Sequence, residues 1–240
     1  MIEIENLTVK FGGVKSLNEL TVSSASPITG LIGPNGAGKT TLLNVMSGFV
    51  KPSAGSVRID GDDVLRLPPY RRAAFGIRRT FQTEQVVENL SVWDNLAGVL
   101  DNVPAGDRSR NASIHAVLDH VGLAHRSRAL GSELIAHDRR MVEIGRALVG
   151  KPRLVMMDEP GAGLSDAESD HLRSVILGIP DFCGAQVLLV DHDVDLIGAT
   201  CAATIVLDFG SLIAHGPTSQ VLTDPKVRAA YLGLADDAVA

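Results

Sequence analysis

The sequence predicts an α/β fold built around a phosphate-binding loop, with an antiparallel β part near its start and a helical part inserted in the middle. Three observations predict it. The apolar strand "ITGLI" runs into "GPNGAGKTT" and then into an apolar-periodic helix. Two further apolar strands, "RLVMMDEP" and "QVLLVDHD", follow with a helix between them. Between the loop and those strands, residues 84–150 carry helical periodicity and few strand signals.

Taken in order, residues 2–10 and 14–22 alternate or run apolar, so they predict two strands joined at Gly12-Gly13. Residues 28–32 form the third strand, and "LLNVMSGFV" a helix ending near Gly48. "SVRID" (56–60) is a short strand closed by Gly61. "SVWDNLAGVL" (91–100) and "SIHAVLDHVGL" (113–123) read as helices, the second closed by Gly122, with the polar linker "DNVPAGDRSRN" between them. In "SELIAHDRRMVEIGR", Met141, Ile144 and Leu148 recur at helical spacing with Arg139, Arg140, Glu143 and Arg146 between them. That helix opens on Ala136-His137-Asp138, with no glycine. A strand at 153–160, a helix from about Asp166 to Leu177, a strand at 186–193 and short strands at 203–208 and 211–214 come next. "DPKVRAAYLGL" (224–234) is a final helix capped at Gly233. The expected organisation is one domain over 1–240. Residues 1–83 and 151–223 make the α/β core with its β subdomain, 84–150 the helical subdomain, and 224–240 a C-terminal helix and tail.

Composition narrows the function. The 240 residues include 45% hydrophobic side chains, enough for a sizeable core, and carry a formal charge of −6. An acidic balance argues against a general nucleic-acid binder. The two cysteines, Cys183 and Cys201, lack CxxC spacing and read as reduced thiols in a cytosolic protein. "MIEIENLTVKFGG" has no charged segment followed by an apolar one, so it does not read as a signal peptide. No apolar run is long enough to span a bilayer, so work at a membrane would go through a partner.

The chemistry begins at Gly33–Thr40, a full G-x-x-x-x-G-K-[ST] pattern in its required context, after a strand and opening a helix. Glycines let successive backbone N–H groups point at phosphate oxygens, and the helix N-terminus adds partial positive charge. Lys39 is placed to reach the β- and γ-phosphates, and Thr40 to give an oxygen to Mg²⁺. In "LVMMDEP", Asp158 at the strand tip is a hard oxygen ligand for Mg²⁺, and Glu159 is suited to orient or deprotonate a water. His192 follows another apolar strand, at the sheet edge where open α/β folds bind ligands. A neutral imidazole there can hydrogen-bond a γ-phosphate or the attacking water, although a histidine after a strand is more often structural.

With these motifs in this order, the chain resembles an ATP-binding-cassette ATPase, the motor subunit of a membrane transporter, over nearly all of its length. The resemblance implies ATP and Mg²⁺ as cofactors. It assigns Gly33, Pro34, Asn35, Gly36, Ala37, Gly38, Lys39, Thr40 and Thr41 to Walker A, and Asp158 and Glu159 to Walker B and the catalytic base. Gln82 in "RRTFQTEQ" matches the Q-loop glutamine, which contacts Mg²⁺ and senses the permease. "GAGLSD" (161–166) is similar to the D-loop, and His192 to the switch histidine. Phe11 falls where an aromatic ring stacks on adenine; a core aromatic at a strand end is the alternative. "LTVKFGGVKSL", "GIRRTFQ", "DEPGAGLS" and "AAYLGLA" resemble the ATPases of branched-chain amino-acid uptake, with urea and amide relatives nearby. "SVWDNLAGVL" is similar to the lipopolysaccharide-export ATPase. Implied partners are permease subunits, a second ATPase subunit and, indirectly, an extracytoplasmic solute-binding protein. The implied location is the cytoplasmic face of the inner membrane. The rival class is a cassette protein without a permease, a nucleic-acid or assembly ATPase or a nucleotide-binding module with a degenerate signature. Arg66, Arg71, Arg72, Arg78 and Arg79 would be its basic patch, but they are expected to form a solvated or permease-facing surface.

The family's LSGGQ signature aligns with Leu134-Ile135-Ala136-His137-Asp138, where only the leucine matches. In the family, each ATP lies between Walker A of one subunit and the signature of the other. Ile135 cannot donate a hydrogen bond, Ala136 and His137 hinder backbone approach, and Asp138 would repel phosphate while stabilising its own helix by about 0.3–1 kcal/mol. A protonated His137 would partly offset Asp138, and a one-residue shift of the match is the alternative. A heterodimer whose partner supplies a good signature is therefore favoured over a homodimer, and low activity is expected of the chain alone.

Overall fold

The computed structural model describes residues 1–106 and 108–231. The chain opens with β1 (Ile2–Phe11), β2 (Val14–Ser24) and β3 (Ile28–Ile32), followed by α1 (Lys39–Ser47). Then come β4 (Ala54–Ile59), β5 (Asp62–Asp63), α2 (Pro69–Phe75) and β6 (Ile77–Arg79). Helices α3 (Val92–Ala97), α4 (Arg110–His120) and α5 (Ala136–Leu148) precede β7 (Leu154–Asp158) and α6 (Asp166–Cys183). The last elements are β8 (Gln186–Val190), α7 (Val194–Thr200), β9 (Ala203–Asp208), β10 (Ser211–Pro217), α8 (Thr218–Val221) and α9 (Pro225–Tyr231). The described residues fall into two compact units, 1–69 with 188–231, and 70–106 with 108–187.

In the first unit, β1 pairs antiparallel with both β2 and β4, giving the sheet order β2-β1-β4-β5. Alternation sets its inner face at Ile2 and Ile4, and the irregularities at Asn6 and Glu19 shift the register so that Leu7, Leu17 and Leu20 are buried as well. β3 is buried along its whole length and pairs parallel with β9, which pairs antiparallel with β10. A strand covered on both faces reads as a continuous apolar run, which is what "ITGLI" is.

In the second unit, β6 pairs parallel with β7, and α5 packs on α3, α4 and α6. Met141, Val142, Ile144 and Leu148 of α5 are buried, as its periodicity predicts. Arg140 and Glu143 are buried too, although their charge marks them as a polar face. They satisfy each other, with Arg140 Nη1 3.0 Å from Glu143 Oε2.

Several elements depart from expectation. The helix at 91–100 is α-helical only to Ala97 and tightens into a 3₁₀ turn over Gly98–Asp101. α4 starts inside the expected linker, because Ser109 caps it by accepting from the Ala112 N–H at 3.3 Å. α6 runs past Gly178 and Pro180 to Cys183, held by the buried Ile176 and Ile179. The basic stretch divides: Arg66 and Arg71 are exposed as expected, Arg79 is half-buried, and two others are carried inward. Arg72 and Arg78 are 7% and 6% exposed, because α2 and β6, which the sequence reading lacked, carry them inward. α9 covers part of the expected final helix; its cap at Gly233 and the rest of "AAYLGLA" lie outside the described residues. Among the described residues no helix is long and apolar enough to cross a membrane, and both cysteines are free.

Candidate functional site

The first unit carries the phosphate-binding loop. Gly33 and Gly38 adopt φ +149° and +101°. A Cβ on Gly33 would sit 2.1 Å from the Leu207 carbonyl oxygen, and one on Gly38 would sit 2.6 Å from that of Ser16. Only glycine fits this close approach of loop to β2 and β9. The β9–β10 turn braces the loop, since the Gly210 N–H donates to the Ala37 carbonyl at 3.1 Å and the Asn18 N–H to the Gly210 carbonyl at 2.9 Å. Ser16 and Thr41 hydroxyls meet at 2.7 Å. Lys39, 6% exposed, donates its ammonium to the carbonyls of Gly33 at 2.6 Å and Pro34 at 3.0 Å. Pro34 is half-buried and Ala37 buried, while Asn35, Gly36 and Thr40 are exposed. The cradle fits an oligophosphate: glycine backbone, a positioned ammonium and an open rim at Gly36, where an added Cβ would meet nothing within 4 Å.

Phe11 ends β1 with 53% of its surface exposed, which is not the setting of a core aromatic. His192 is exposed on the bend between β8 and α7. That bend is built by its neighbours. Asp191 Oδ1 accepts the Asp193 N–H at 3.0 Å, and Asp193 caps α7 by accepting from Asp195 and Leu196.

The second unit holds Gln82, Asp158 and Glu159. Asp158 ends β7, 6% exposed, and its Oδ2 accepts from Arg79 Nη2 at 2.7 Å. Glu159 turns the chain with φ +51°, in the left-handed region that costs a residue other than glycine energy. Its Oε2 accepts from Gln82 Nε2 at 2.7 Å. The segment that carries Gln82 is gripped in turn by α5. The Phe81 N–H donates to Glu143 Oε1 at 2.8 Å, and Arg140 donates to the Phe81 and Gln82 carbonyls at 2.8 and 3.2 Å. Burial raises the Glu143 carboxyl above its ordinary value, against the pull of the Phe81 N–H and of Arg140. Carboxylate, hydroxyl and carboxamide oxygens of Asp158, Thr40 and Gln82 are hard donors suited to Mg²⁺.

At the start of α5, Ile135 is the N-cap, 62% exposed, and makes no side-chain cap. His137 turns onto α6, its Nε2 3.0 Å from His171 Nδ1, while its Nδ1 lies 3.4 Å from Asp138 Oδ1. Arg126 is 3.9 Å from Asp138. Burial, then the charge of His137, lowers the His171 pKa, with Asp138 opposing. Sequence reasoning missed Arg79, Arg140, Glu143 and His171 as partners of this region. The one available signal was "GIRR", an apolar residue after glycine that begins β6.

The chain matches known proteins along its length. The family described as "ABC transporter" matches residues 18–162, and "Branched-chain amino acid ATP-binding cassette transporter" matches residues 211–237. It is 33% identical to the high-affinity branched-chain amino acid transport ATP-binding protein BraF of Pseudomonas aeruginosa, over 98% of both chains. It is 36% identical to the lipopolysaccharide export system ATP-binding protein LptB of Escherichia coli, over 95% of both. Its fold is similar to the ADP conformation of MJ1267, an ATP-binding cassette of an ABC transporter. That structure gives a TM-score of 0.86 at 30% identity, covering 98% of this chain and 99% of the other.

Proposed function

Because the chain belongs to the ABC transporter family, as an ATP-binding subunit and ATPase, we propose that it powers uptake of branched-chain amino acids or related small solutes. The observation that carries this reading is the match of residues 211–237 to the branched-chain cassette family, beyond the general cassette match at 18–162. A second reading, lipopolysaccharide export, is favoured by the 36% identity to LptB. In either case the chain works from the cytoplasmic face of the membrane, against permease subunits and a second cassette.

The proposed roles follow from the chemistry of each side chain. Lys39 exchanges its loop carbonyls for β- and γ-phosphate oxygens, and the loop N–H groups hold the same charge. Thr40, Asp158 and Gln82 would hold Mg²⁺, which supplies charge neutralisation at the transferring phosphoryl group. Glu159 orients the attacking water and accepts its proton, and His192 positions that water or the γ-phosphate. Phe11 stacks on the adenine ring. Residues 84–150 form the helical subdomain, whose altered signature faces a partner's nucleotide. A heterodimer in which the partner supplies an intact signature keeps one competent site, the one built on Lys39 and Glu159.

The test is co-purification from detergent-solubilised membranes together with solute uptake. A polytopic permease should come with the chain, and uptake of leucine, isoleucine or valine should fall about 10²–10⁴-fold in Glu159→Gln, the usual reach of a general base. Nucleotide affinity should persist in that variant, because the amide keeps the size of the acid. Loss of surface lipopolysaccharide with normal amino-acid uptake would select the second reading. Recovery only on ribosomes or DNA would end both.

A further inference from the structure

Within the second unit, two imidazole nitrogens from different helices face each other. His137 lies in the first turn of α5 and His171 in α6, and both are half-buried. His137 Nε2 stands 3.0 Å from His171 Nδ1, with the rings tilted by 43°. On its other side the His137 ring meets Asp138, with Nδ1 3.4 Å from Oδ1. A carboxylate at Nδ1 favours the tautomer with its proton there, which leaves the Nε2 lone pair turned toward His171. Gly122 is exposed, and a Cβ there would come within 3.1 Å of His171 Nε2, so the missing side chain keeps that edge of the ring open. Glu168, one turn before His171, is engaged by the Ser165 N–H and hydroxyl at 2.8 and 2.6 Å.

We propose that His137 Nε2 and His171 Nδ1 form a two-histidine site for a divalent copper, nickel or zinc ion, with Asp138 orienting the His137 ring. Spacing is the first argument. Nitrogens bound at about 2.0–2.1 Å stand about 2.8–3.0 Å apart around a square-planar ion and about 3.3–3.4 Å apart around a tetrahedral one. The observed 3.0 Å is within reach of both. Packing is the second. α5 packs on α6, so the two rings are brought together before an ion arrives and little ordering is left to be done. The third is the carboxylate behind His137, the arrangement that orients and strengthens histidine ligands at metal centres. Among the described residues no group of three His, Cys, Asp or Glu side chains is placed to hold a metal, so water would fill the other positions. Imidazole selects these ions over Mg²⁺, which prefers oxygen. The bound ion would tie the first turn of α5 to α6. The site is separate from the nucleotide-binding roles assigned above and does not depend on the transported solute.

The experiment titrates the full chain with Cu²⁺, Ni²⁺ and Zn²⁺, in excess Mg²⁺ to fill oxygen sites, and reads Tm and the ¹⁵N shifts of the histidine rings. At about five times its Kd, a bound ion should raise Tm by about 2–4 °C for a chain of this size. Zn²⁺ should move the His137 and His171 ring signals together, and Cu²⁺ should bind more tightly than Ni²⁺ or Zn²⁺. His137→Gln and His171→Gln should each remove the response, because a single imidazole remains. Asp138→Asn should weaken binding by about 10–100-fold, the usual loss for a partner that orients a ligand. His115→Gln, at an exposed histidine of α4 beside Trp93, should leave the response intact. No response beyond that to Mg²⁺ would show that the pair is a hydrogen bond alone and overturn the proposal. So would a response that survives either variant of the pair, or a rise in Tm while both ring signals stay in place.

Discussion

Lys39 keeps its charge almost out of water, on two loop carbonyls 2.6 and 3.0 Å away. The side chain is thus held at the loop before any phosphate arrives, and little ordering is left to be done on binding. Lys39→Ala should weaken ATP binding about 10–100-fold, the loss of one charge-assisted hydrogen bond of about 1.5–3 kcal/mol. Unchanged affinity by fluorescence titration would remove the loop from nucleotide binding. Arg140 and Glu143 make a second test at this scale. Their side chains are 3% and 4% exposed, and together they hold the backbone at Phe81 and Gln82. Arg140→Met removes the cation hydrogen-bonded to Glu143 and leaves the buried carboxylate the Phe81 N–H and the charge of Arg146. It should cost about 3 kcal/mol, at the lower end for breaking a buried pair, and a denaturant melt showing a loss under about 1 kcal/mol would contradict the pairing. Residues that act by type were legible in sequence: a lysine in a glycine loop, paired carboxylates after a strand. Their partners were not. Arg79 and Asp158 are 79 positions apart, and Phe81 and Glu143 are 62 apart, so no local pattern joins them.

Elements with strong periodicity or strong punctuation were the legible ones. β3, α1, α5 and β7 follow from apolar runs or 3.6-residue spacing closed by glycine or charge. α2, β6 and α7 escaped because each has seven residues or fewer, too short to display a period. The start of α5 is where local and functional logic separate. Asp138 suits a helix N-terminus, and His137 faces α6 rather than the helix axis, bonded to His171. That bond needs one ring to donate and the other to accept, so it fails once both rings are protonated. His171 has a folded pKa below its ordinary 6.5. Between that folded value and 6.5 the unfolded chain binds more protons than the folded one, so stability falls as pH drops through this window. His120, also lowered by burial, contributes with the same sign. His171→Gln should therefore flatten the fall of Tm between about pH 7.5 and 5.5 without abolishing it. An identical slope in the variant would mean that the ring pair does not couple α5 to α6.

At the scale of the whole molecule, the α/β class, the antiparallel sheet and the family were legible because several motifs occur in one order over the chain. The burial of Arg72 and Arg78 was not, because charge alone does not tell a solvated side chain from one carried inward by a short helix or an edge strand. The proposed function is asymmetric: it assigns this chain the groups for its own nucleotide and gives it a poor signature to offer a partner. Ile135 and Ala136 are exposed at the start of α5 and offer no side-chain donor. The most direct measurement is steady-state phosphate release by the purified chain at high concentration, beside the same chain with Ser-Gly-Gly-Gln restored at 135–138. A single missing oxyanion-type donor costs roughly 10²–10³ in rate. The account predicts that the wild-type chain binds Mg-ATP but turns over slowly, and that the restored chain gains at least about tenfold of that loss. Brisk turnover by the wild-type chain, with no gain on restoration, would contradict it.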